Sequence, residues 1–142
     1  MAVHIHIDQI EVPLETGIDI RNITDRLSRI VSESNIIEGH LSATVIGSTG
    51  STTTIEYEPG VVADLKRAIN EMAPPERDYA HEEAWHDGNG HSHVQAALLG
   101  PSISVPVRKR RMRLGTWQQV VLINHDNRSR KRTVEVTVIG AG

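Results

Sequence analysis

The chain has no cysteine and no phenylalanine, and only two tryptophans and two tyrosines among its 142 residues. Without thiols it forms no disulfide and no thiolate-ligated zinc site, a usage that suits a reducing interior. Without phenylalanine the core has to be built from Val, Ile, Leu and Ala. No apolar stretch approaches the ~20 residues that span a bilayer. The N-terminus also lacks the basic-then-apolar pattern of a secretory signal. A soluble, cytoplasmic protein is expected, with no membrane partner. Aromatic residues are scarce beside the basic ones, no nucleic-acid-binding motif is present, and the net charge is −3. Nucleic acid is therefore an unlikely partner. At this length the simplest organisation is one domain, residues 1–142, large enough to bury a useful core.

What is abundant is histidine in one place. His81, His86, His91 and His93 fall within thirteen residues, interleaved with Glu82, Glu83 and Asp87. Imidazole beside carboxylate is the usual material of divalent-metal sites and of proton transfer near neutral pH. Gly88-Asn89-Gly90 lets the backbone turn just before the last two histidines. A short helix should follow. Ser92 and Gln95 have the spacing of a capping box, and Gly100-Pro101 fits the stop. His91 then precedes the helix and His93 opens it, where free amides favour an anion such as phosphate.

Nine of the fifteen basic residues lie in two clusters, residues 108–113 and 128–132. Solvated hairpin tips are the simpler reading. The functional reading is a positive rim that captures phosphate through Arg108, Arg111 and Arg130. The run Gly47 to Thr54 is small and hydroxyl-rich, so Ser48, Thr49, Ser51 and Thr53 can offer hydroxyls and amides to phosphate oxygens. No Gly-Lys-Ser/Thr follows, so this is no Walker motif.

Elsewhere the periods are plain. Val3, Ile5 and Ile7 alternate with His4, His6 and Asp8, a half-buried strand with His4 and His6 outward. Ile20, Ile23, Leu27, Ile30 and Val31 make one stripe of a helix from about Ile20 to Ser34, with Asp19 or Asn22 as cap. Strands are expected at Leu41–Ile46 and Thr52–Ile55, the second delivering Glu56 and Glu58 on one face before a Pro59-Gly60 turn. That pair is either a carboxylate site or an ordinary polar strand end. A second helical stripe runs from Val61 to Met72 and stops at Pro74-Pro75. From Ile103 onward the character is β, with Val120–Ile123 suiting a central strand, a turn at His125-Asp126-Asn127, and a last strand with Val134, Val136 and Val138 inward. The expected class is α+β, a mostly antiparallel or mixed sheet with two longer helices and one short one.

Taken together, Tyr79-Ala80-His81, Asn89-Gly90-His91-Ser92-His93, Leu98-Leu99-Gly100, Gly115-Thr116-Trp117-Gln118 and the Arg-rich approach to a Val-alternating strand resemble the YjbQ-like family, also called the secondary thiamine-phosphate synthase family. Their order and spacing agree from the first helix to Gly140. The resemblance implies a compact α+β fold, usually a homotrimer, with a pocket lined by the histidine segment. His81, Glu56 and His93 match by position and would be the catalytic set. His81 and His93, with His91 as neighbour, would hold a divalent metal, Zn²⁺ or Mg²⁺. Many relatives carry His-Thr-Thr/Ser-Ala where this chain has Gly47-Ser48-Thr49-Gly50, so a role resting on that histidine does not carry over.

The leading functional expectation is a transferase joining a pyrimidine-methyl diphosphate to a thiazole phosphate. Diphosphate would lie near the 48–53 loop, Ser92 and the arginines. A metal-dependent hydrolase or phosphatase is the second expectation, and a non-catalytic trimer binding a small phosphorylated metabolite the third.

Overall fold

Period-two alternation carries most of the chain into strands. In the computed structural model, which describes residues 2–142, the elements run in the order β1 (His4–Leu14), β2 (Asp19–Asn22), α1 (Thr24–Ser34), β3 (Glu38–Ile46), β4 (Gly50–Glu56), α2 (Pro59–Met72), α3 (His81–Trp85), α4 (Gly90–Leu99), β5 (Ser102–Arg108), β6 (Arg111–Met112), β7 (Gln118–Asn124) and β8 (Arg130–Ala141). The class is α+β, as expected. The strands divide between two sheets, one of five strands in the order β1-β8-β3-β5-β6 and one of three in the order β2-β7-β4. Every pairing is antiparallel. No helix among the described residues is long and apolar enough to cross a membrane.

With no phenylalanine available, aliphatic residues fill two cores. The larger joins Leu41, Ala43 and Val45 of β3, Val134, Val136 and Val138 of β8, and Val120 and Leu122 of β7 to Leu27, Ile30 and Val31 of α1. On the other face of β7, Val121 and Ile123 pack with Ile20 of β2 and Ile69 of α2, and Leu99 of α4 joins them. β7 is thus buried on both faces, which is why its apolar run is continuous rather than alternating.

Four expectations need correction. The helix expected from Ile20 begins at Thr24, because Asp19–Asn22 pairs with β7 from Asp19↔Asn124 to Asn22↔Val121. Asn22 still serves the helix start, its Oδ1 accepting from the Thr24 amide at 3.0 Å. The faces of β1 are the reverse of those expected. Ile10, Val12 and Leu14 are buried, whereas Val3, Ile5 and Ile7 are 69, 63 and 70% exposed. Register decides this: β1 pairs with β8 as Ile10↔Val134 and Asp8↔Val136, so the even-numbered residues share the Val134 face. Pro59-Gly60 is the first turn of α2 and not a separate turn, with Glu58 as cap, its carboxylate accepting from Gly60 and Val61 amides at 2.8 and 3.1 Å. Finally, Ser92 does not cap α4. Asn89 occupies that position, and His91 and Ser92 both lie inside the helix.

Candidate functional site

The inward phase of β8 is set by Val134, Val136 and Val138, and two residues earlier it reaches Arg132. That side chain is only 6% exposed. Its Nη2 donates to Thr49 Oγ1 and Asn124 Oδ1, both at 2.6 Å, while the buried Nε has no partner. Among the described residues Arg132 makes no ion pair with a carboxylate. Burial lowers its pKa, an effect opposed by nearby Asp126 and reinforced by Arg130. A buried guanidinium whose close acceptors are all neutral is costly, and an anion is what relieves the cost. The second basic cluster is therefore not a solvated tip throughout.

Gly47 and Gly50 make room for this arginine. A Cβ on Gly47 would lie 2.7 Å from Arg132 Nη1, and Gly47 has a φ of +139°, where glycine is favoured. Gly47 thus leaves space for a guanidinium.

Beside Arg132 stands a buried polar scaffold. Asp126, 1% exposed, accepts from Asn89 Nδ2 at 3.0 Å, Thr49 Oγ1 at 2.9 Å, Arg130 Nε at 3.0 Å and the Arg128 amide at 3.0 Å. Burial alone would raise its pKa, but the bonds from Asn89, Thr49, Arg130 and the Arg128 amide outweigh it and hold the carboxyl below its usual range. His125, also 1% exposed, has Nδ1 3.0 Å from Gln95 Oε1 and Nε2 2.7 Å from Ser51 Oγ. The Gln95 amide nitrogen donates to Asn70 Oδ1 and Ala73 O, so its oxygen faces the ring. This assigns the proton to Nδ1 and makes Nε2 an acceptor for the Ser51 hydroxyl. Burial, then the charge of Arg132 and of His91, pushes the imidazole pKa down to about 4. It is neutral at neutral pH.

Asp126 and Asn89 floor an open polar cleft of about 400 Å³, walled by Ser48, Thr49, Asp87, His93, Arg130 and Lys131 around Arg132, with His125 behind it. His93 also lines an adjoining cleft with Gly47, Ser48, Gly50 and Ala97. The ring of His81 stacks obliquely on that of His93, with centroids 4.6 Å apart. His81 Nε2 lies 3.2 Å from Asp87 Oδ1. Ligand atoms of His81, Glu82 and Asp87 come within 4.8 Å of one another. The Glu82 carboxylate, however, accepts from the Gly88 amide at 2.6 Å and the Gly90 amide at 3.0 Å, so the first amide of α4 is already served by a side chain of this protein. His91 points elsewhere, its ring 6.5 Å from that of Tyr79, and burial lowers its pKa.

Of the residues expected at a phosphate site, Ser48, Thr49 and Arg130 line the cleft. Ser51 and Ser92 are fully buried behind it, Ser51 on His125 and Ser92 with its Oγ 2.7 Å from His125 O. Thr53 lies further along β4. Arg108 and Arg111 sit on the β5–β6 hairpin, which pairs with the Gly39 end of β3, whereas the cleft takes in Ile46 at its other end. Within one chain they do not reach this cleft. Glu56 ends β4, whose first residue, Gly50, contacts Arg132, so about 20 Å of strand separates it from the cleft. The residues that sequence reasoning passed over are Arg132, Asp126, His125 and Asn89. Only for Arg132 was there a signal, the phase of its own strand.

A family model for "UPF0047 protein YjbQ-like" matches residues 8–141. A UPF0047 protein of Methanothermobacter thermautotrophicus is 33% identical over 132 residues, covering 92% of this chain and 90% of that protein. The UPF0047 protein YjbQ of Salmonella typhimurium is 32% identical over 119 residues, 83% of each. Among solved structures, a YbjQ-like protein of unknown function from Sulfolobus solfataricus superposes with a TM-score of 0.93 at 30% identity, covering 98% of this chain and 99% of that one. The chain belongs to the YjbQ-like UPF0047 family.

Proposed function

We propose that the cleft around Arg132 binds the phosphate or diphosphate group of a small metabolite, and that the protein is a transferase of the thiamine-phosphate synthase kind. The observation that carries this reading is Arg132 itself, a buried cation without a carboxylate partner, beside the hydroxyls of Ser48 and Thr49. In the reaction, a thiazole phosphate nitrogen would attack the methylene carbon of a pyrimidine-methyl diphosphate. The carbon–oxygen bond breaks and diphosphate leaves with both electrons. Donors fixed where that charge develops lower the barrier. Arg132 and the Ser48 hydroxyl would hold the departing oxygens, and His93 would supply a proton to them, while Thr49, its own proton given to Asp126, would keep Arg132 in position.

A second reading, a metal-dependent phosphate-ester hydrolase, is favoured by the proximity of His81 and Asp87. These two, with His93 beside them, would hold a Zn²⁺ or Mg²⁺ ion, and Glu82 only by releasing its amides. When bound, such an ion would neutralise phosphate charge. A homotrimer is part of the proposal, supported by the exposed Ile5, Ile7 and Ile139 of one sheet face.

The discriminating assay is diphosphate release from the two substrates, run beside hydrolysis of p-nitrophenyl phosphate with and without a chelator. Release that falls at least tenfold in His93→Ala and Arg132→Gln supports the transferase. Chelator-sensitive hydrolysis without release supports the hydrolase. Neither activity, with retained diphosphate binding, leaves a non-catalytic ligand-binding protein.

A further inference from the structure

Aromatic residues are scarce here, yet two of the four tyrosines and tryptophans wall one cleft at the Glu56 end of β4. Tyr57 and Trp117 line a hollow of about 490 Å³ together with Glu56, Glu58 and Pro59. Neither ring is there as core filling, since Tyr57 is 41% and Trp117 73% exposed.

The Tyr57 ring and the backbone that carries Trp117 are nevertheless held in place. The Tyr57 hydroxyl donates to Ile20 O at 2.9 Å, which fixes the ring plane at the sheet edge. Trp117 sits in a turn closed by the Gln118 amide donating to Gly115 O at 3.1 Å. The Gln118 side chain clamps that turn, accepting from the Gly115 amide at 3.0 Å and donating to Thr54 Oγ1 at 3.1 Å. The clamped turn fixes the backbone that presents the indole to water, which lowers the cost of ordering it against a ligand.

The charge in the hollow has one sign. Glu58 is occupied in capping α2. Glu56 enters no ion pair among the described residues, and no lysine or arginine lines the cleft. The remaining polar wall is neutral, Thr116 with Asn22 and Gln119, and the two amides are closed on each other by a 3.1 Å bond. Two π faces and one free carboxylate, without a cation of the chain's own, are the chemistry that attracts a positive charge. A hydrated divalent ion needs a shell of several oxygens, which one free carboxylate does not supply. A large, weakly hydrated cation does not need it.

We propose that this cleft binds a small organic cation, a quaternary ammonium or an N-alkylated aromatic ring, with Trp117 and Tyr57 against its faces and Glu56 as counter-charge. The site is separate from the Arg132 cleft within one chain and does not depend on the function proposed for it.

The chain's two tryptophans give two indole N–H signals in a nitrogen–proton correlation spectrum, and Trp85→Phe assigns the one that remains to Trp117. Choline and N-methylpyridinium are titrated into the full-length protein, with 3,3-dimethylbutan-1-ol as choline's neutral isostere. The expected result is a saturable shift of the Trp117 signal with at least one cation, at least tenfold weaker for the isostere. Glu56→Gln, at an exposed position, should weaken the cation at least fivefold. No saturable shift with either cation, an equal response to the isostere, or an unchanged affinity in Glu56→Gln overturns the proposal. So does a Trp117 signal that moves with protein concentration instead of with the cations, which would assign the face to a second copy of the chain.

Discussion

At the scale of single residues, the site depends on buried groups whose protonation is already decided. His125 has a folded pKa of about 4 against 6.5 for the free side chain. The unfolded chain therefore binds the proton first, and stability falls as pH drops from about 6.5 towards 4. The contribution is fully present above that window and amounts to about 3 kcal/mol. Thermal or urea unfolding from pH 7 to 4.5 should show this slope, and His125→Asn should flatten it. Gly47 supplies a second test at this scale. Because a Cβ there meets Arg132 Nη1 and φ is +139°, Gly47→Ala should weaken diphosphate binding about tenfold, read by calorimetry. Arg132 was legible in the sequence: it shares parity with Val134, Val136 and Val138, and a charged residue at an inward position is itself a signal. Asp126 and His125 were not legible, because His-Asp-Asn after a strand has the composition of a solvated turn. What buries them is Asn89, Ser92 and Gln95, 30 to 37 residues away in sequence.

At the scale of elements, periodicity located the strands and the two longer helices, while register and capping escaped it. The first half of β1 alternates correctly but in the opposite phase to its second half, and only pairing with β8 reveals which half faces inward. Ile20 fits a helical stripe and a strand equally well, and the ladder with β7 settles the matter. The start of α4 differs from expectation because its first amide, and that of Gly88 just before it, are satisfied from α3, by Glu82, and not from Ser92. Glu82→Ala should therefore cost about 1–2 kcal/mol of stability, the range for losing a cap. Chemical denaturation measures it, and an unchanged midpoint would leave Glu82 free for a metal. β7 bears the two cores on its two faces, so Leu122→Ala should cost about 2–5 kcal/mol by the same measurement.

At the scale of the whole molecule, opposite ends of the three-stranded sheet carry opposite chemistry. Gly50 abuts an unpaired buried guanidinium, and Glu56, a free carboxylate, shares its cleft with two exposed rings. The outer face of the five-stranded sheet leaves Ile5, Ile7 and Ile139 uncovered, and Ile5 pairs directly with Ile139. In the proposed homotrimer this apolar face is the assembly surface. Ile7→Lys should shift sedimentation towards the monomer. The central claim remains that Arg132 holds an anion, and titration calorimetry with inorganic diphosphate tests it most directly. The account predicts one site per chain for the wild type and at least tenfold weaker binding in Arg132→Gln, with the variant's circular dichroism confirming that it is folded. No binding by the wild type, or equal affinity in the two proteins, would contradict it.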